Sequence, residues 1–209
     1  MDGEFLPELA NLRGKGKEVW DITIRGIRGE IEWEKGLMMR INEVKGASFT
    51  ECIQVSDSLP LMPGAKNVCI ELRNRGFQIA AVSGGFSLLA NRVQKELGLD
   101  YVFANEIVFM RDTLQSVNIR VTANKANSIQ NLVKDLGEPR SNIIAVVDGA
   151  NDLTLFDLAG LRIAFCAQPM VEARGDVIIR KKDLGNILPH IFEYLNDHNK
   201  RPSMQHDEQ

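Results

Sequence analysis

A chain of 209 residues, 44% hydrophobic and 25% charged, has material for one good core and a smaller appended unit, and its composition is that of an ordinary globular protein. Its net charge of −3, with Lys and Arg spread along the sequence, supplies no basic stripe for a phosphate backbone, which argues against a nucleic-acid binder. Cys52, Cys69 and Cys166 are far apart and in apolar surroundings, so they read as buried thiols of a reducing compartment. No apolar run approaches the ~18 residues of a membrane helix, and the acidic start from Met1 to Glu4 lacks a signal peptide's basic region. The expected location is the cytoplasm, with no membrane partner.

In chain order, the sequence divides near Pro60 and Pro63. Residues 1–60 read as a small helical unit: apolar residues from Leu9 to Lys45 recur at three- and four-residue spacings, broken by Gly26, Gly29 and Gly36. Residues 61–196 alternate helical and strand-like segments. A helix over 65–75 ends at Gly76, a strand covers 77–82, a helix over 88–97 ends at Gly98, and a short strand covers 101–103. Residues 107–109 and 114–121 flank Arg111 and Asp112 as a hairpin. There follow a helix over 126–136, a strand over 143–147, a helix from Leu153, strands over 162–166 and 177–179, and a last helix over 184–195. Repeated βα units predict an α/β fold with a Rossmann-like, doubly wound parallel sheet. The polar stretch 197–209 reads as a disordered tail.

Three loops carry the chemistry. The apolar run ending at Val147 stops at Asp148 and Asp152, set among Gly149, Ala150 and Asn151. Two carboxylates at the carboxyl end of a parallel strand suit a hard cation such as Mg2+, whose shell a substrate phosphate completes. The same residues also suit an Asx-rich turn with Asn151 or Asp152 as helix N-cap. Ser83, Gly84 and Gly85 close an earlier strand, where a hydroxyl and exposed N–H groups would cradle phosphate oxygens, or simply make a tight turn. Lys125, at the start of the helix before the Asp148 strand, is a further cation for that anion or a solvated side chain.

In this order the motifs resemble those of the phosphoserine phosphatases of the haloacid dehalogenase superfamily, over a span from about Glu4 to Leu195. Ser83 to Phe86 resemble the second motif and Lys125 the third; Asp148 to Asp152 resemble the fourth, followed by Ala159 to Leu161 and Ile163 to Pro169. Ile22, Thr23, Arg28 to Ile31, Leu37, Lys45 and Gly46 fall where the family's four-helix cap has equivalents. The resemblance implies phosphate binding by Ser83, Gly84, Lys125 and Asn151, and Mg2+ binding by Asp148 and Asp152. It also implies that Glu4 and Arg40 read the ammonium and carboxylate of phosphoserine. The implied reaction is hydrolysis to serine and phosphate through an aspartyl phosphate, as in serine biosynthesis. Trp33 and Ile27 replace the family's usual Phe and Met, Val147 a common Gly, and Gln168 a common Lys.

The family begins with a strand ending in Asp-x-Asp-x-Thr, whose first Asp is the nucleophile and whose second is the general acid and base. Neither is present in the 209 residues, so the expectation is a core without its first strand and no catalytic carboxylate of this kind; Asp2 has no strand behind it. Two readings follow: an enzyme whose first strand lies upstream of Met1, or a catalytically silent relative that binds phosphate or a metabolite and regulates. The small phosphorylated partner is common to both.

Overall fold

The first four helices form where apolar residues recur on one face. In α1 (Phe5–Leu12) the buried residues are Phe5, Leu6, Leu9 and Ala10; in α2 (Gly16–Ile27), Val19 and Ile22; in α3 (Trp33–Val44), Leu37, Ile41 and Val44 at four- and three-residue steps. The fourth, α4 (Phe49–Ser58), starts with a capping box: Ser48 Oγ accepts from the Glu51 N–H at 3.1 Å and the Glu51 carboxylate accepts from the Ser48 N–H at 2.7 Å. In the computed structural model of the protein, residues 1–199 are described.

After α5 (Ala65–Asn74) come β1 (Ala80–Phe86), α6 (Ser87–Leu97), β2 (Tyr101–Met110), β3 (Thr113–Asn118) and α7 (Lys125–Leu136). The strand β1 pairs parallel with β2, and β2 turns through Arg111 and Asp112, at φ 50° and 58°, into antiparallel β3. Two consecutive positive-φ residues are what a two-residue hairpin demands. Residues 46–49 run along the hairpin's tip: the Gly46 N–H donates to the Leu114 carbonyl at 2.8 Å, Leu114 N–H to Ala47 at 2.7 Å, and Phe49 N–H to Asp112 at 2.8 Å. One core therefore joins helices α1, α3 and α4 to the sheet, with Leu9, Ile41, Val44 and Cys52 packed against Phe86, Ile107, Leu114 and Val117.

Compactness divides the chain after Gly137, and the helical segment 1–60 lies in the same unit as β1–β3. The second unit, from Glu138, holds β4 (Ile144–Val147), α8 (Leu153–Phe156), β5 (Leu161–Phe165), α9 (Pro169–Glu172), β6 (Val177–Ile179) and α10 (Leu188–Asn199). Its sheet is parallel in the order β4-β5-β6. Ala145, Val147, Phe156, Ala164 and Val171 form a core there. Ala159 and Gly160 close the α8–β5 turn under Tyr194, and a Cβ on Gly160 would come within 2.7 Å of Ser141 Cα, so only glycine fits.

The expected α/β class with parallel strands is observed. Among the described residues, however, the parallel strands fall into two three-stranded sheets, with β1 at the edge of one and β4 at the edge of the other. The edge strands are poorly covered: β1 has one buried residue, α6 and α7 none, and Val146 in β4 is 37% exposed. Two readings of single residues need correction. Cys166 is exposed, unlike Cys52 and Cys69, because it turns out of β5 at φ 47°. The expected tail at 197–209 begins as helix, since α10 continues to Asn199; residues 200–209 lie outside the described residues.

The capping box yields a signed prediction. Hydrogen bonds from Ser48 hold the Glu51 carboxyl below its ordinary value, so the stabilisation is present above about pH 4.5 and is lost as pH falls through the lower folded-state value. Ser48→Ala is expected to lower stability by ~1 kcal/mol at neutral pH. Denaturant titrations of the two proteins should show this difference shrinking below pH 4.5; a constant difference would mean that the carboxylate takes no part.

Candidate active site

In the first unit, Ser83 and Gly84 lie at the carboxyl end of β1, where the pairing with β2 slips between Val82 and Phe86. The strand runs on to Phe86 and the helix starts at Ser87, so Ser83 precedes the helix by a whole bulge. Ser83 Oγ accepts from the Gly85 N–H at 3.0 Å, which leaves the hydroxyl proton as the donor for an anion. A Cβ on Gly84 would meet the Trp33 ring at 2.9 Å, so the indole rests on this glycine. Lys125 is the first residue of α7, a helix that packs on β1.

Arg40 lies seven residues after Trp33, two turns along the same side of α3. It is part-buried, and its Nε donates to the Gly36 carbonyl at 3.2 Å. Burial pulls its pKa down, against a smaller upward pull from the Glu4 carboxylate at the head of α1. A carboxylate and a guanidinium held near one another suit a zwitterion, whose ammonium and carboxylate need opposite partners.

One residue of this unit escaped sequence reasoning. Asn105, in the middle of β2, is fully buried; its Nδ2 donates to the Gly84 carbonyl at 2.9 Å, and its Oδ1 accepts from the N–H groups of Arg120 at 2.8 Å and Val121 at 2.9 Å. The signal was a lone amide inside an apolar strand, which is costly to bury without partners.

In the second unit, Asp148 follows β4 directly and is exposed, as is Asn151. Asp152 is 8% exposed, and its carboxylate folds back to within 3.7 Å of where a Gly149 Cβ would stand. It makes no side-chain cap bond to α8, so the reading of this loop as a simple N-cap finds no support at Asp152. Gln168 ties the loop from outside: its N–H donates to the Asp148 carbonyl at 2.9 Å and its Oε1 accepts from the Ala150 N–H at 3.2 Å. A lysine has no acceptor and could not make the second bond. Val147 packs into the second unit's core.

Among the described residues no group of three or more His, Cys, Asp or Glu side chains is placed to hold a metal. Two carboxylates around one glycine nevertheless fit Mg2+, which is commonly bound through one or two carboxylates, with waters and substrate phosphate filling the rest.

Residues 3–160 match the haloacid dehalogenase-like hydrolase family. The chain is 33% identical over 195 residues to a phosphoserine phosphatase of Methanocaldococcus jannaschii, covering 91% of this chain and 92% of that protein. It is 34% identical over 191 residues to one of Campylobacter jejuni, covering 90% and 92%. A solved structure of a substrate-bound phosphoserine phosphatase complex superposes with a TM-score of 0.85 at 34% identity, covering 90% of this chain and 91% of that one. A phospho-aspartyl intermediate analogue of phosphoserine phosphatase gives 0.84 over the same shares. The chain belongs to the haloacid dehalogenase-like hydrolases, as a phosphoserine phosphatase-like member.

Proposed function

We propose that the chain carries the binding machinery of a Mg2+-dependent phosphoserine phosphatase: phosphate oxygens at Ser83, Gly84, Lys125 and Asn151, the metal at Asp148 with Asp152 behind it, and the amino-acid end of the substrate at Glu4 and Arg40. The observation that carries this reading is the seat of Trp33 on Gly84, which brings the helix of part-buried Arg40 to the Ser83–Gly84 turn. A bound Mg2+ would offset charge on the phosphate and orient it. Ser83 and Lys125 would supply donors to the oxygens on which charge builds during transfer.

The attacking group is the remaining part. In the reaction that this machinery serves, a carboxylate oxygen forms a bond to phosphorus as the bond to the serine oxygen breaks. A proton from a second carboxyl goes to that oxygen, and water then releases phosphate. Both carboxylates fit an added parallel strand ending in Asp-x-Asp-x-Thr that pairs with an open edge, that of β1 or of β4. The thin cover over β1, α6, α7 and Val146 supports this, because a further strand would bury area at ~25 cal/mol per Å2. Residues 1–209 would then bind and not turn over.

Two experiments test the proposal. Residues 1–209 alone should release no Mg2+-dependent phosphate from phosphoserine above an Asp148→Asn control. Fusing an apolar strand ending in Asp-x-Asp-x-Thr before Met1 should give activity that vanishes when the first added Asp becomes Asn. Activity of the unextended chain that Asp148→Asn abolishes would overturn the assignment of the nucleophile, whereas a folded, Mg2+-binding but inert extended protein would favour the silent phosphate-binding relative. In the active extended form, Arg40→Ala and Glu4→Gln should each raise KM for phosphoserine ~10-fold or more, as befits a lost charged hydrogen bond of ~1.5–3 kcal/mol. They should leave an aryl phosphate, which has neither ammonium nor carboxylate, nearly unaffected; equal losses on both substrates would remove the recognition role.

A further inference from the structure

The peptide group between Gly84 and Gly85 is held at both of its polar ends. Its carbonyl accepts from Asn105 Nδ2 at 2.9 Å and its N–H donates to Ser83 Oγ at 3.0 Å. In a trans peptide these two groups point in opposite directions, so the two bonds together fix the rotation of the plane. They also fix the serine hydroxyl, because accepting from Gly85 leaves it a narrow range in which to aim its own proton.

The other end of the same amide reaches a different segment. Asn105 Oδ1 uses both lone pairs, on the N–H groups of Arg120 and Val121, which lie in the loop leading to Lys125 at the head of α7. Val121 is 1% exposed and Asn105 is wholly buried, so the bridging amide itself is shielded from water. Between Ala104 and Ile107, both buried, packing alone would be served by an apolar residue at less desolvation cost. An amide bonded to two separate segments does what an apolar side chain cannot: it sets the distance between them.

We propose that Asn105 is a positioning residue for phosphate binding, aiming the Ser83 hydroxyl through the Gly84–Gly85 peptide and coupling it to the segment that launches Lys125. This rests on the phosphate-binding reading of Ser83 and Lys125. Asn105→Asp keeps both acceptor bonds to Arg120 and Val121 and replaces the donor facing the Gly84 carbonyl with an oxygen that repels it.

The test titrates inorganic phosphate into residues 1–209 carrying Trp20→Phe, which leaves Trp33, the ring resting on Gly84, as the only tryptophan emitter. Asn105→Asp is expected to weaken phosphate at least tenfold and to change Trp33 emission, in step with Ser83→Ala. Should Asn105→Asp bind phosphate like its parent while Ser83→Ala is weakened, the amide is structural only and the inference falls. Should the parent fail to bind, or Ser83→Ala and Lys125→Ala bind as it does, the phosphate reading itself falls, and the inference with it. If Asn105→Asp does not fold, the unmodified chain decides by hydrogen exchange: phosphate should slow exchange of the Arg120 and Val121 amides, and unchanged rates in a phosphate-saturated protein would overturn the coupling.

Discussion

The Gly84–Gly85 peptide, gripped between Ser83 Oγ and Asn105 Nδ2, is the contact on which the proposed phosphate site turns. A phosphate dianion is held well only where donors stand in place before it arrives, since reorienting them afterwards costs much of what the contact gains. In the proposed site, β1 places such a donor through a bulge. By slipping its register against β2 between Val82 and Phe86, it lifts Ser83 and two glycines out of the regular ladder while the surrounding pairs stay intact. Trp33 then packs on Gly84, which only the absence of a side chain permits, and so brings the face of α3 that carries Arg40 to the same turn.

The second unit uses a different device for the opposite charge. Asp148 and Asp152 are four residues apart in a short loop, and like charges so close repel unless something holds the backbone. Gln168 does part of that work through two bonds, one at the Asp148 carbonyl and one at the Ala150 N–H. The chain thus combines carboxylates suited to a cation with a serine and a lysine suited to an anion, each placed at the carboxyl end of a parallel strand or the head of a helix, as α/β folds favour. Among the described residues, β1 and β4 each stand at the edge of a sheet, and α6 and α7 bury no residue. Parallel strands are normally buried on both faces.

Much of this was legible in the sequence, for identifiable reasons. The hairpin followed from two polar residues between apolar runs, and Arg111 and Asp112 sit at its tip with positive φ. Gly98 and Gly137 both end their helices in the left-handed conformation, as terminal glycines do. Strand limits were less legible. The expected strand at 77–82 begins at Ala80, because the Phe77 N–H still closes α5 on the Leu72 carbonyl and Ile79 is held by the Asp100 carboxylate. The expected short strand at 101–103 runs on to Met110; Asn105 broke the apolar pattern, yet in space its amide is buried by hydrogen bonds that no periodicity reveals. For the candidate site residues, types and loops could be read from the sequence. The seat of Trp33 on Gly84 and the brace from Gln168 depend on contacts between distant segments and had no local signature.

The most direct test of the account is a crystal structure of the chain grown with Mg2+ and phosphoserine. The account predicts the phosphate oxygens within hydrogen-bonding distance of Ser83 Oγ and Lys125 Nζ, the ammonium on the Glu4 carboxylate and the substrate carboxylate on the Arg40 guanidinium. Phosphoserine bound with its phosphate away from Ser83, or with Arg40 turned from its carboxylate, would contradict it.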